Sequence, residues 1–147
     1  MKFTNSLIKG KLLKRYKRFF ADIKVNNKII TAHCPNTGSM QGLLDQGNEV
    51  LVTEHNDPKR KLKFTLEIIK AKKRYVGVNT HRANKIVNHG LENKLISEFK
   101  TIKNIKPEFK FSDDTRFDFL CDNYLIEVKN VTLFRENDIA EFPDAVT

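Results

Sequence analysis

Long apolar runs are missing from this 147-residue chain. None approaches the ~20 apolar residues that a membrane-spanning helix needs, so no membrane partner is expected. The opening residues, Met1-Lys2-Phe3-Thr4-Asn5-Ser6, hold no apolar core of the signal-peptide kind. Cysteine is scarce: Cys34 and Cys121 lie far apart and in no C-x-x-C spacing. They supply no zinc-site signature and fit reduced thiols, which points to a cytoplasmic location. With 31% charged and 39% hydrophobic residues, the chain can still bury a core and is not a disorder composition. Its length suits one ordinary domain or two small ones.

What the chain has in plenty is positive charge, and that charge is uneven. Residues 1–75 carry 17 Lys+Arg against 6 Asp+Glu, whereas residues 76–147 carry 10 against 12. A basic front half reads as a polyanion-binding surface, and nucleic acid is the commonest such partner. The densest part runs from Lys9 to Lys28 and includes Lys14, Arg15, Tyr16, Lys17 and Arg18. Lys and Arg neutralise phosphates, and aromatics can stack on unpaired bases, for which Tyr16 is the candidate. Phe19, Ala21, Ile23 and Val25 alternate as the expected buried face of a strand, with Arg15, Lys17 and Arg18 facing out.

Asn26-Asn27 marks a hairpin turn between Phe19–Val25 and Lys28–Ala32. Strand-like runs follow at Glu49–Thr53, Leu62–Ile69 and Arg74–Val78, separated by turn residues. About five short strands without a good helix suggest a small barrel of the OB type over residues 1–80, whose faces and loops commonly hold oligonucleotides. The loop His33-Cys34-Pro35-Asn36-Thr37-Gly38-Ser39-Met40 offers backbone N–H groups and the side chains of Asn36, Thr37 and Ser39 to a phosphate or a small polyanion. His33 beside Cys34 is better read as loop structure than as a metal pair. Lys59, Arg60 and Lys61 form a basic tip that suits either a phosphate contact or a solvated turn.

From His81 the period changes. Ala83, Ile86, Val87, Leu91, Leu95 and Phe99 recur at helical spacing and predict a helix over roughly 82–100. Strand-like runs Ile105–Phe111, Thr115–Leu120 and Tyr124–Val131 come next, with Cys121-Asp122-Asn123 as a hairpin turn. On such a hairpin Asp118 comes up beside Glu127, and Lys129 shares Glu127's face because strand residues two apart point the same way. Two carboxylates and an ammonium group are what metal-dependent phosphodiester hydrolysis uses. The acids hold Mg2+ or Mn2+, and the lysine orients the attacking water or the phosphate. The bare D-x8-E-x-K spacing, taken alone, favours a solvated hairpin with one ion pair. The preceding helix and the order of the strands favour the catalytic reading, because together they match the opening half of a restriction-endonuclease-like core. The fold expected is therefore mixed α/β, an OB-type barrel over 1–80 followed by a PD-(D/E)xK nuclease-like domain over 81–147.

Seven segments together resemble the sugar fermentation stimulation protein family of bacteria and archaea. They are Arg15–Phe19, His33–Met40, Pro58–Leu62, Val76–Thr80, Arg116–Leu120, Glu127–Leu133 and Phe142–Thr147. The resemblance implies the same two domains and a DNA-binding role linked to the regulation of sugar metabolism. It places Asp118, Glu127 and Lys129 on the nuclease signature, with Asp118 and Glu127 as metal ligands. A further acid is expected from Glu92 or Glu98, and Asp144 stands as another neighbour or as a helix cap. The family's continuation beyond Phe142-Pro143-Asp144-Ala145-Val146-Thr147 is absent here, which reads as a second domain lacking its C-terminal part. Phe117 stands where isoleucine is more usual. DNA binding is the leading expectation and metal-dependent nuclease activity the alternative. No signal for an oligomeric state is present.

Overall fold

The computed structural model describes residues 2–134 and 139–142. Two compact units emerge: Lys2–Thr80 together with the segment from Asn130 on, and His81–Lys129.

The first unit is a closed barrel. Strands β1 (Leu7–Tyr16), β2 (Phe20–Val25), β3 (Lys28–His33), β4 (Glu49–Glu54) and β5 (Phe64–Ala71) are followed by a short β6 (Arg74–Gly77). The order is β3-β2-β1-β4-β5-β6, and a parallel pairing of β3 with β5 closes the ring. Every other pairing is antiparallel. This is the five-stranded OB-type architecture expected for the front half, and closure removes the open strand edges that invite aggregation.

The strands form because apolar residues alternate with polar ones. Ala21 and Ile23 of β2, Val50 and Val52 of β4, and Leu66 and Ile69 of β5 are fully buried together with Leu12, Met40 and Leu43. Each large aliphatic side chain so buried contributes roughly 1.5–3 kcal/mol. β1 shows least of this in the sequence, since lysines fill its outward positions. Gly10 lets it approach β2 closely: a Cβ there would meet Ile23 Cγ2 at 2.5 Å. The β2–β3 hairpin turns at Asn26, whose φ of 52° a short polar side chain tolerates.

The chain returns to this unit after Lys129. Phe134 joins the barrel core, and β10 (Leu133–Phe134) pairs with β11 (Ala140–Glu141). Gly42, at φ +83°, makes room for it, since a Cβ there would lie 1.5 Å from the Phe134 carbonyl oxygen. The Phe134 N–H donates to the Gln41 carbonyl at 3.1 Å.

The second unit is one helix on a three-stranded sheet. Helix α1 (Ala83–Glu92) precedes β7 (Ile105–Lys110), β8 (Arg116–Cys121) and β9 (Tyr124–Ile126), in the antiparallel order β7-β8-β9. Leu91, Ile102, Phe119 and Cys121 are its buried core, with Val87, Ile96, Phe99, Ile126 and Val128 packed against them. The helix is shorter than the 82–100 expected. Lys94 adopts φ +55°, its N–H bonds to the Leu91 carbonyl, and the Leu95 N–H bonds to the Gly90 carbonyl. That paired bonding is the Schellman stop. Gly90 permits the return, since a Cβ there would press on Ile96 at 3.2 Å. β9 is shorter than expected as well, ending at Ile126 rather than Val131. Among the described residues no helix is long and apolar enough to cross a membrane.

Candidate nucleic-acid interface and carboxylate site

The barrel's outer surface over β1, β2 and β3 is built in cross-strand rows. Tyr16 pairs with Phe20, and Phe20 with His33, so the three side chains share one row. The next row holds Lys14, Asp22 and Thr31. Tyr16 and Phe20 stack with centroids 5.5 Å apart and planes 16° apart, and Lys14 Nζ stands 5.2 Å from the Tyr16 ring centre. Asp22 is the hub below them: it accepts from the Tyr16 hydroxyl at 3.3 Å and from Thr31 Oγ1 at 2.8 Å, and pairs with Lys14 at 3.7 Å.

The β1–β2 turn carries the exposed part of this surface. Lys17 and Arg18 are exposed and lie at φ 47° and 61°. Phe19 was expected in the core, and the structure corrects this: it is 43% exposed on the turn and stacks on His33 at 6.3 Å with planes 25° apart. The reason is where the strand begins: Phe19 has the inward phase of Ala21 and Ile23, but β2 starts only at Phe20, and Phe19 lies on the turn before it.

Arg15 holds this end of the barrel together. Its Nε donates to the Arg18 carbonyl at 2.9 Å, and its terminal nitrogens donate to the carbonyls of Asn36 at 2.7 Å and Ser39 at 3.3 Å. The guanidinium that sequence reasoning gave to a phosphate thus fastens a turn and a loop. Asn36 is likewise internal at 3% exposure. Its Nδ2 donates to the Val78 carbonyl and to Thr132 Oγ1, and its Oδ1 accepts from the Gly38 N–H. Thr37 and Ser39 stay exposed on the loop so fixed. Cys34 is fully buried with its sulfur 3.8 Å from Met40 Sδ, and burial pushes its thiol pKa up while Arg15 pulls against that.

At the β4–β5 loop, Lys59 and Lys61 are exposed. Arg60 bends inward, donating to Thr65 Oγ1 at 2.8 Å and to the Leu62 carbonyl at 3.3 Å. Thr65 is the cross-strand partner of His33, so this loop and the β1–β2 turn flank the same barrel seam.

The second unit carries the carboxylates. The β8–β9 register pairs Phe119 with Ile126 and ends there, and Asp118 and Glu127 are the next residue along each chain segment. Asp118 Oδ1 accepts from Asn84 Nδ2 of α1, and Oδ2 accepts from the Val128 N–H at 2.6 Å. That second bond ends the ladder, since a side chain takes the N–H that a β8 carbonyl would have received. Glu127 and Lys129 form an ion pair at 2.5 Å, both about half exposed, while Ile126 and Val128 turn to the core. Two carboxylates are the number a magnesium ion takes while keeping waters. No group of three or more His, Cys, Asp or Glu placed to hold a metal occurs among the described residues. Glu92 is bound by Asn88, and Glu98 by Ser97, whose hydrogen bond lowers its pKa. Asp144 lies outside the described residues. Asp122 at the β8–β9 turn is held by the N–H groups of Lys103 and Asn104 and by Asn104 Nδ2, which lower its pKa.

Comparison with known proteins follows the same division. Residues 13–78 match the family model described as the SfsA N-terminal OB domain, and residues 81–147 match the sugar fermentation stimulation protein RE domain. A sugar fermentation stimulation protein homolog of Pelagibacter ubique is 64% identical over 151 residues, which take in 100% of this chain and 65% of that protein. Homologs from Alteromonas mediterranea and Bdellovibrio bacteriovorus are 45% and 43% identical, with 66% and 67% of their lengths covered. The solved structure of Pyrococcus furiosus SfsA in complex with Ca2+ superposes with a TM-score of 0.81 at 22% identity, over 100% of this chain and 63% of that one. This chain belongs to the sugar fermentation stimulation protein family.

Proposed function

We propose that the barrel unit binds nucleic acid, DNA first among the candidates, and that its outer β1–β2–β3 surface makes the contact. One observation carries the reading: exposed Lys14, Lys17 and Arg18 surround stacked aromatic pairs on the strand face that OB-type barrels use for oligonucleotides. Lys59 and Lys61 add charge from the neighbouring loop. The linked role in regulating sugar metabolism rests on the family resemblance. Retention of labelled DNA on a filter, titrated with salt, tests the binding. Affinity should fall linearly on a log–log plot with a slope of about −0.9 per phosphate neutralised on duplex DNA, or about −0.7 on a single strand. A flat salt response would rule out phosphate contacts.

A second reading, metal-dependent phosphodiester cleavage, draws its support from Asp118 and Glu127, which directly follow the last β8–β9 pair, and from Lys129 paired with Glu127. Asp118 and Glu127 would hold Mg2+ or Mn2+, a hard-cation preference that agrees with the calcium bound by the Pyrococcus furiosus relative. Such an ion supplies charge neutralisation at the phosphate and a more acidic bound water. The chain's own part is to orient the pair: Asn84 and the Val128 N–H fix Asp118, and Lys129 sets Glu127 and stands near for the phosphate. Cleavage that requires Mg2+ or Mn2+, stops with chelator and is lost in Glu127→Ala would support it. Cleavage unchanged in Glu127→Ala would sink it.

A further inference from the structure

Resting on the barrel-binding reading, we infer that the site is selective for unpaired nucleic acid, with Phe19 as the platform on which a base stacks. The Tyr16 ring, the aromatic singled out by sequence, is already engaged by Phe20 and by Lys14 Nζ. Phe19 presents an exposed ring instead, braced from behind by His33. Its backbone is fastened on both sides: its N–H bonds to the Lys17 carbonyl at 2.7 Å, and its carbonyl accepts from the Cys34 N–H at 2.8 Å. An exposed aromatic held this firmly gives up little freedom when a base lands on it.

The turn shows a second departure from what stability alone would select. Two consecutive residues in the left-handed region call for Asn and Gly, yet Lys17 and Arg18 occupy them. Neither side chain favours that region, and the Arg15 bond to the Arg18 carbonyl holds the conformation. The result is two exposed cations on the turn that carries the exposed Phe19 ring. Cations for the backbone beside a ring for the base are the pairing that single-strand readers use. A paired base inside a duplex offers no face to such a ring.

The chain contains no tryptophan, so Phe19→Trp installs a sole reporter. The full chain is titrated with oligo(dT), oligo(rU) and a DNA duplex of equal length. Fluorescence of Phe19→Trp should be quenched by both single strands and not by the duplex. Phe19→Leu, which keeps apolar bulk without the ring, should lose about ten- to a hundredfold of single-strand affinity and leave duplex affinity unchanged. Equal losses on duplex and single strand, or no quenching by a strand that demonstrably binds, would overturn the stacking role while leaving the barrel reading intact. Failure of wild type to retain any of the three at low salt would remove the barrel reading itself and this inference with it.

Discussion

The two units reach order by different routes. In the barrel, a closed ring of strands surrounds a large set of fully buried side chains, so its outer surface can be given over to charge and exposed rings. The helix-and-sheet unit has Leu91, Ile102, Phe119 and Cys121 as its buried core among the described residues, and β7 and β9 are sheet edges. There carboxylates are structural: Asp118 accepts the Val128 N–H where β9 ends, and Asp122 fastens a loop.

The comparison can be broken most forcefully in the cores. Phe119→Ala should cost about 3–5 kcal/mol, and hydrogen exchange should show the loss in residues 83–126 while β1–β5 amides stay protected. Equal loss of protection in the barrel strands would mean that the two cores are one cooperative unit. Asn36→Ala should cost the barrel about 1–3 kcal/mol, read as a lower Tm, because its buried bonds to the Val78 carbonyl, Thr132 Oγ1 and the Gly38 N–H are lost. A smaller change would show that the loop tolerates its loss.

Replacing Lys17-Arg18 by Asn-Gly sharpens the contrast between binding and stability. Relief of left-handed strain should raise barrel stability by about 1 kcal/mol or more. DNA affinity should fall and the salt slope should shrink by one to two phosphate contacts. A variant both stabler and equally tight would remove the turn from the interface.

The smallest expected effect is a pH dependence in the second unit. Hydrogen bonds from Lys103 and Asn104 lower the Asp122 pKa beneath its ordinary 3.8. Its stabilisation is therefore present above that ordinary value and lost as pH falls through the lower, folded-state one. Asp122→Asn should be less stable than wild type at neutral pH, and the gap in urea midpoint should close below about pH 4. A gap constant down to acid pH would show that charge plays no part.

Much of this was legible beforehand. Asn26-Asn27 announced the hairpin it makes, and the strand-like runs Glu49–Thr53 and Leu62–Ile69 announced β4 and β5 of the barrel. Lys9 and Lys11 hid β1, because outward lysines mask a strand whose inward positions include a glycine. The helix from Ala83 was readable at its start and not at its end. Lys94, not glycine, takes the left-handed stop, and nothing in its side chain signals that. In the carboxylate site, the facing of Ile126 and Val128 away from Glu127 and Lys129 followed from period two alone.

By itself the sequence determined the strand periodicity, the basic front half and the family, since each is a matter of local pattern and composition. Tertiary structure alone decided that Arg15 and Asn36 serve the scaffold, that Phe19 rather than Tyr16 offers an exposed ring, and that β9 yields to Asp118 after Ile126. Those outcomes depend on which donors and rings meet across strands far apart in the chain. Residues 15 and 36 become partners only when the barrel has closed.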